Sequence, residues 1–362
     1  MNGLLAALSL FVFSINVYFI FWVYRGLKMI GAQPLPSNPS PQSFSIIIAA
    51  RNEADRIEKC LRALADQNYP KDKYEIIVVA DRCTDKTVQV ANQFGDKFFR
   101  FKILEVREVP TEISPKKHAL AKGVEEGAFD RFIFLDADVV PTPNHLQVMN
   151  QYFDGDGDAV VGIMKLTLQH GFWQSFLKYE RLLNWSVAAG GIGNGNPMIS
   201  YGGNWGYTRN AFEKVKGFEG IFKSLGGDDD LLLQKFGRKE LDVRFCSNPD
   251  GWVSTLAPDS LGKFLRQRRR HLAAGRYYQM KFKIAYLLYH TSNVVIWVMP
   301  FIYPLSAFLL FLKIICNTAL LNKSTRIFGE DVSLFYTPVF EILFMLYNIF
   351  MGMLGFRGRI KW

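Results

Sequence analysis

The sequence predicts an α/β fold, a mostly parallel, doubly wound sheet carried between membrane helices at the two ends of the chain. Three observations predict it. Short continuous apolar runs alternate with helical stretches between residues 44 and 167, the pattern of strands buried on both faces of a parallel sheet with crossover helices between them. A long uncharged stretch precedes that region, and two apolar regions follow it. A chain of 362 residues suits one large domain with appended segments better than two equal halves.

Residues 3–24, GLLAALSLFVFSINVYFIFWVY, are 22 uncharged positions, enough to cross a hydrocarbon core of about 30 Å as a helix. A cleaved signal peptide fits less well, because no basic segment precedes the stretch and no small-residue cleavage site follows it. Arg25 and Lys28 put the following chain on the cytoplasmic side. After a loop rich in Pro and Ser, QPLPSNPSPQS (33–43), the runs FSIIIAA (44–50), YEIIVVA (74–80) and RFIFLDA (131–137) read as strands, with DAVVGIMKLT (158–167) as a further one. Helices are expected between them at EADRIEKCLRALADQ (53–67), DKTVQVANQF (85–94) and KKHALAKGVEEGAF (116–129).

A second apolar region runs from Ile284 to Leu321, broken near HTSN (290–293) and at Pro300 and Pro304, and a third from Ser333 to Phe356. Together they predict two or three further membrane helices, with Glu341 costly in the last unless it faces protein or the interface. The expected organisation is an anchor at 1–28, an α/β domain at 29–259, a basic interfacial segment at 260–283 and a C-terminal membrane region at 284–362. If every apolar stretch crosses, the terminal RGRIKW lies outside, against the positive-inside tendency; if one is interfacial or re-entrant, it lies inside.

The formal charge of +10 is concentrated. Residues 260–329 hold eleven Lys or Arg and no acid, and eight of the eleven lie in KFLRQRRRHLAAGRYYQMKFK, 263–283, just before the second apolar region. A polybasic segment there suits an anionic cytoplasmic leaflet, and the membrane flanks make nucleic acid the weaker candidate partner. Four cysteines without paired spacing indicate neither a disulfide framework nor a zinc site.

Ligands of such a sheet bind beyond the carboxyl ends of the strands. The polar residues there are Arg51, Asn52 and Glu53 after the first strand, Asp81 after the second, and Asp136 and Asp138 around Ala137 after the third. The first strand is followed by no GxGxxG, and GxxxxGK[ST] occurs nowhere, so a glycine cradle for phosphate is absent.

At this point seven pieces carry a resemblance: SIIIAARNE, VVADRCTD, KKHALAKG, FIFLDADVVP, YGGNWGYTRNAF, GDDDLL and QRRRH. In this order and spacing, over roughly residues 44–280, the chain resembles the membrane-bound family 2 glycosyltransferases with the GT-A fold. The resemblance implies transfer of a sugar from a nucleotide diphosphate to an acceptor hydroxyl, with inversion at the anomeric carbon. It places Ala50, Arg51, Glu53, Asp81, Lys116, Asp136, Ala137 and Asn204 at the nucleotide and donor sugar. A carboxylate at Asp81 can accept the ring N–H of uracil or guanine, which cytosine lacks; this favours UDP or GDP sugars, UDP first. Asp138 would hold Mg²⁺ or Mn²⁺ on the diphosphate. Gln267 and Arg270 match a QxxRW motif at the leaving group, but His271 replaces the tryptophan, which puts chain elongation in doubt. Pro115 likewise replaces the glycine usual before Lys116.

An inverting reaction needs a base on the sugar face opposite the leaving group. The resemblance selects Asp228 of LGGDDDLLLQKF (225–236), and leaves Asp229 and Asp230 as first-turn acids on the acceptor side with His271. The expected function is therefore non-processive transfer onto a lipid or lipid-linked acceptor at the cytoplasmic membrane face. A processive polysaccharide synthase, a polyprenyl-phosphate glycosyltransferase and a non-catalytic nucleotide-sugar sensor are the alternatives.

Overall fold

A computed structural model describes residues 2–32, 35–36, 39–155, 157–167, 171–258 and 261–355, without the side chains of 261, 263, 270, 271 and 353–355. The chain opens with α1 (Asn2–Gly31), β1 (Phe44–Ala50), α2 (Ile57–Ala65), β2 (Tyr74–Asp81), α3 (Thr87–Asn92), β3 (Phe101–Val106) and α4 (Pro115–Glu126). It continues through β4 (Arg131–Asp136), β5 (Val139–Pro141), α5 (His145–Tyr152), β6 (Ala159–Val161), β7 (Met164–Thr167), α6 (Phe172–Gly193), β8 (Asn204–Thr208) and α7 (Arg209–Lys214). It closes with α8 (Asp230–Arg238), β9 (Val243–Phe245), β10 (Val253–Leu256), α9 (Leu261–Ala274), α10 (Met280–Ile302), α11 (Ala307–Phe328) and α12 (Thr337–Gly355). The described residues form two compact units, one within 33–168 and 195–277, the other within 2–32, 171–194 and 278–355.

The first unit is a mixed α/β layer structure. Its main sheet has seven strands in the order β3-β2-β1-β4-β8-β6-β9, parallel from β3 through β4, with β8 antiparallel to both its neighbours. β1 and β2 are buried along almost their whole length, which is why they read as unbroken apolar runs rather than alternating ones. Ile46, Ile48, Ile76, Val78, Ile133 and Leu135 fill one face, each fully or nearly fully buried and worth roughly 1.5–3 kcal/mol. The chain winds one way from β1 to β3 and then crosses to β4 on the other side of β1. That reversal opens a crevice at the carboxyl ends of β1 and β4, where Glu53, Asp136 and Asp138 follow the strands.

The strand expected over 158–167 is two. β6 joins the main sheet, while β7 joins β5 and β10 in a second, three-stranded sheet. The break falls at Gly162, where the Asn204 carboxamide lies so close that any side chain would overlap it.

The second unit gathers the apolar helices. Among the described residues four segments are long and apolar enough to cross a membrane: 2–31, 280–302, 304–328 and 334–352. With them packs α6, which sequence reasoning left inside the 29–259 domain. Gly26 of α1 lies against the Gly190 carbonyl of α6, and Gly193 against that of Gly26, so backbones meet where a Cβ would clash. Asn194 donates to the carbonyl of Trp22 (2.7 Å), and Ser186 meets Ser324 of α11 (2.7 Å). Glu341 faces protein, as its cost required: it pairs with the fully buried Lys313 and accepts from Asn317 (3.1 Å) and Trp297 (3.3 Å). Lys313 also donates to Asn293 (2.7 Å). RGRIKW, whose side of the membrane the sequence left open, lies outside the described residues.

Candidate active site

Two turns at the ends of β1 and β2 build one wall of the crevice. Asn52 and Arg82 both adopt left-handed backbone conformations, φ 55° and 48°, uncommon for residues with a Cβ. The Asn52 side chain holds the second turn by accepting from the Thr84 N–H at 2.8 Å. Glu53 donates its N–H to Thr87 (2.8 Å), and Cys83 reaches the carbonyl of Ala50. Asp81 is buried at the end of β2, where Arg82 meets both its carboxylate oxygens at 2.8 and 3.1 Å. Ala50 and Ala137 are buried as strand-end packing, and Arg51 is half-exposed beside them.

The acids gather beyond β1 and β4. Burial pushes the Glu53 carboxyl up to about 6, helped by the charge on Asp138. Burial, then Asp136, raises Asp138 as well. Two groups temper them: Arg56 lies 3.4 Å from Glu53 and 3.9 Å from Asp138, and Thr255 of β10 donates to Asp138 at 3.3 Å. Among the described residues no three His, Cys, Asp or Glu form a ready-made metal cage. Oxygen donors from one or two carboxylates fit a hard cation that takes its remaining ligands from phosphate and water, so Mg²⁺ or Mn²⁺ suits Asp138 with Asp136 adjacent.

Across the crevice the three aspartates separate cleanly. Gly227, at φ +69°, packs so closely against Leu231 and Ala274 that a side chain there would overlap them. Asp228 is buried and faces Lys116, 3.2 Å away. Burial works to raise its carboxyl, but Lys116 and then Lys117 outweigh it and hold it below the usual carboxylate range. Asp229 caps α8 and accepts the Gly202 N–H at 2.6 Å. Asp230 accepts the Ser200 N–H at 2.7 Å. Thus one carboxylate faces the crevice cation while the other two fasten the 200–203 loop. Lys117 steadies the approach to them: fully buried, it donates to the carbonyls of Ser224 and Gly226, and burial brings it down to about 8.

Lys116 joins the two sides, 3.0 Å from Asp136 and 3.2 Å from Asp228. The glycines of YGGNW make this convergence possible. A Cβ at Gly202 would lie 3.1 to 3.4 Å from Asp229, Asp228 and Lys116, and one at Gly203 would lie 2.7 Å from Asp136.

Asn204 is a correction. It is fully buried inside β8, bonded through its side chain to His145 (2.9 Å), the Ile163 carbonyl (2.9 Å) and the Gly251 carbonyl (3.0 Å). Its backbone is likewise engaged, with Tyr201 and Gly162. Fully buried and bonded in this way, Asn204 serves the core, and the close approach of backbone to the crevice, for which the two glycines of YGGNW are suited, lies at Gly202 and Gly203. Burial lowers its partner His145 to about 4, so that imidazole is neutral. Gln267 is half-exposed on α9, whose last residue Ala274 meets Gly227; the side chains of Arg270 and His271 lie outside the described residues.

Sequence reasoning missed Arg56, Lys117 and Thr255 as members of the site, and of these only the doubled lysine had a local signal.

The model of glycosyl transferase family 2 matches residues 45–216, and that of glycosyl transferase family group 2 matches residues 132–357, more than half the chain. The chain is a family 2 glycosyltransferase by descent. Among its relatives is the probable glycosyltransferase YdaM of Bacillus subtilis, 26% identical over 280 residues, 76% of this chain and 65% of that protein. Another is the dolichyl N-acetyl-alpha-D-glucosaminyl phosphate 3-beta-D-2,3-diacetamido-2,3-dideoxy-beta-D-glucuronosyltransferase of Methanococcus voltae, 32% identical over 104 residues, 29% of this chain and 32% of that one. The chain thus spans less than two thirds of either relative. The mannosyltransferase PcManGT of Pyrobaculum calidifontis, solved in complex with GDP-Man and Mn²⁺, superposes with a TM-score of 0.59 at 17% identity, covering 98% of this chain and 95% of that one. This family 2 chain therefore has the GT-A fold, and DAD and GDDD are its two facing motifs.

Proposed function

We propose that this chain transfers a sugar, with inversion, from a UDP- or GDP-sugar to a hydroxyl on a lipid or lipid-linked acceptor at the cytoplasmic membrane face. The observation that carries the reading is Asp228, buried across one crevice from Asp136 and Asp138 and linked to Asp136 through Lys116. A donor diphosphate beside Asp136 and Asp138 leaves its sugar pointing towards Asp228. Asp228 takes the acceptor proton as the acceptor oxygen attacks C1, and the bond from C1 to the diphosphate oxygen breaks. A divalent cation held by Asp138, with Asp136 beside it, supplies neutralisation of the charge that grows on the leaving diphosphate. Asp81 receives the base once its carboxylate turns from Arg82 to the ring N–H. The resemblance assigns Arg270 and Gln267 to the leaving group, and Asp229, Asp230 and His271 to the acceptor side.

Two kinds of support favour a lipid acceptor. Four helices have the length and apolarity to cross a membrane, and the basic 263–283 segment suits an anionic leaflet. The Methanococcus voltae relative is named for a dolichyl N-acetyl-alpha-D-glucosaminyl phosphate, a lipid-linked sugar. Purified enzyme given labelled UDP- and GDP-sugars with total membrane lipid should form a lipid product carrying one added sugar. Asp228→Asn should lower transfer about 10²–10⁴-fold while nucleotide binding persists. Near-wild-type transfer by that variant would overturn the assignment of the base, and a ladder of products would favour a polymerising enzyme.

A further inference from the structure

The doubled lysine at the start of α4 sits where helix electrostatics disfavours it. The first turn of a helix carries partial positive charge, so Lys116 and Lys117 there are held by something other than the helix. Lys117 is accounted for by the Ser224 and Gly226 carbonyls, 2.5 and 2.7 Å away. Lys116 reaches into the crevice, with only 14% of its side chain exposed, and lies within 3.2 Å of a carboxylate from each facing motif.

We propose that Lys116 is the crevice's own cation, which leaves Asp136 and Asp228 for the donor diphosphate when a metal–nucleotide complex binds, so that the metal site and the base become available together. The proposal rests on the function argued above and concerns its regulation. The charges require some such exchange. Glu53, Asp136, Asp138, Asp228 and Asp229 converge here; among the described side chains Lys116 and Arg56 reach them as cations, with the buried Lys117 beside Asp228 and Asp229 but bonded to the Ser224 and Gly226 carbonyls. A divalent ion arriving alone meets an ammonium 3.0 Å from Asp136 and is repelled by it. Arriving with a diphosphate, it brings an anion for that ammonium to follow. Lys116 then leaves Asp228, whose carboxylate is free to accept a proton only while the donor is seated. Gly202 gives the side chain its path, since a Cβ there would lie 3.4 Å from the Lys116 nitrogen. Metal and nucleotide binding must consequently be coupled, each tightening the other by the same factor.

Mn²⁺ binding to purified full-length protein tests this without turnover. Wild type should bind Mn²⁺ weakly alone and at least about tenfold more tightly with saturating UDP or GDP. Lys116→Gln should bind Mn²⁺ alone about tenfold or more tightly than wild type, and the gain from nucleotide should shrink. Lys116→Arg should restore wild-type behaviour. A lysine that only contacts phosphate would weaken nucleotide binding and leave Mn²⁺ alone unchanged in the glutamine variant, and that result overturns the proposal. Lys116→Met supplies the same comparison should the glutamine variant not fold. In wild type itself, equal Mn²⁺ affinity with and without nucleotide also overturns it. Failure to bind any nucleoside diphosphate would instead count against the proposed function.

Discussion

Three consecutive aspartates differ in role because the backbone turns between them. Asp228 precedes α8 and faces Lys116, whereas Asp229 and Asp230 hold two backbone N–H groups of the 200–203 loop. Asp229 gives a pH test. Burial, then the neighbouring Asp228 charge, raises its carboxyl to about 6, above the unfolded value of about 3.9. The stability it contributes is therefore present below about pH 4 and lost as pH rises through about 6. Asp229→Asn should gain melting temperature relative to wild type between those values, read by thermal unfolding across that range. Gly203→Ala puts a methyl 2.7 Å from Asp136 and from the Met164 sulfur. Donor binding should fall about tenfold or more with little change in melting temperature, a split that calorimetry and thermal unfolding resolve. Asn204→Ala should do the opposite. It strands His145 and two buried carbonyls at about 1–3 kcal/mol each, so the melting temperature drops while folded protein still binds nucleotide.

At the scale of elements, α6 is the one whose unit sequence patterning left unmarked. Its sequence, FWQSFLKYERLLNWSVAAGGIG, carries Lys, Glu and Arg, and its place in the chain lies between two strands of the first unit, so nothing local marks it as a partner of α1. The small residues at its end are the signal, legible only once Gly26 is seen opposite Gly190. Gly26→Val should therefore disrupt α1–α6 packing, at a cost of about 1–3 kcal/mol or more, measurable as lower thermal stability in detergent. The strands were more transparent. Double-sided burial made β1, β2 and β4 readable as apolar runs to within a residue. The 158–167 run hid its break because Gly162 yields to a side chain 42 residues later in the chain, Asn204.

For the molecule as a whole, Lys313 and Glu341 form a buried ion pair among α10, α11 and α12. Removing one partner leaves a charge uncompensated, so Lys313→Met should cost about 3–5 kcal/mol, and Lys313→Met with Glu341→Leu should recover much of it. Melting curves of the two variants in detergent compare them directly; equal losses would deny the pairing. Composition and motif order determined the α/β sheet, the apolar helices, the DAD and GDDD motifs and the family they belong to. Those features follow from burial periodicity and from short motifs, which are local properties of a chain. Tertiary structure alone decided that Lys116 joins Asp136 to Asp228, that Asn204 serves the core, and that Glu341 has a cation. Each depends on which side chains meet across long stretches of sequence, and hydrophobic pattern carries no record of that.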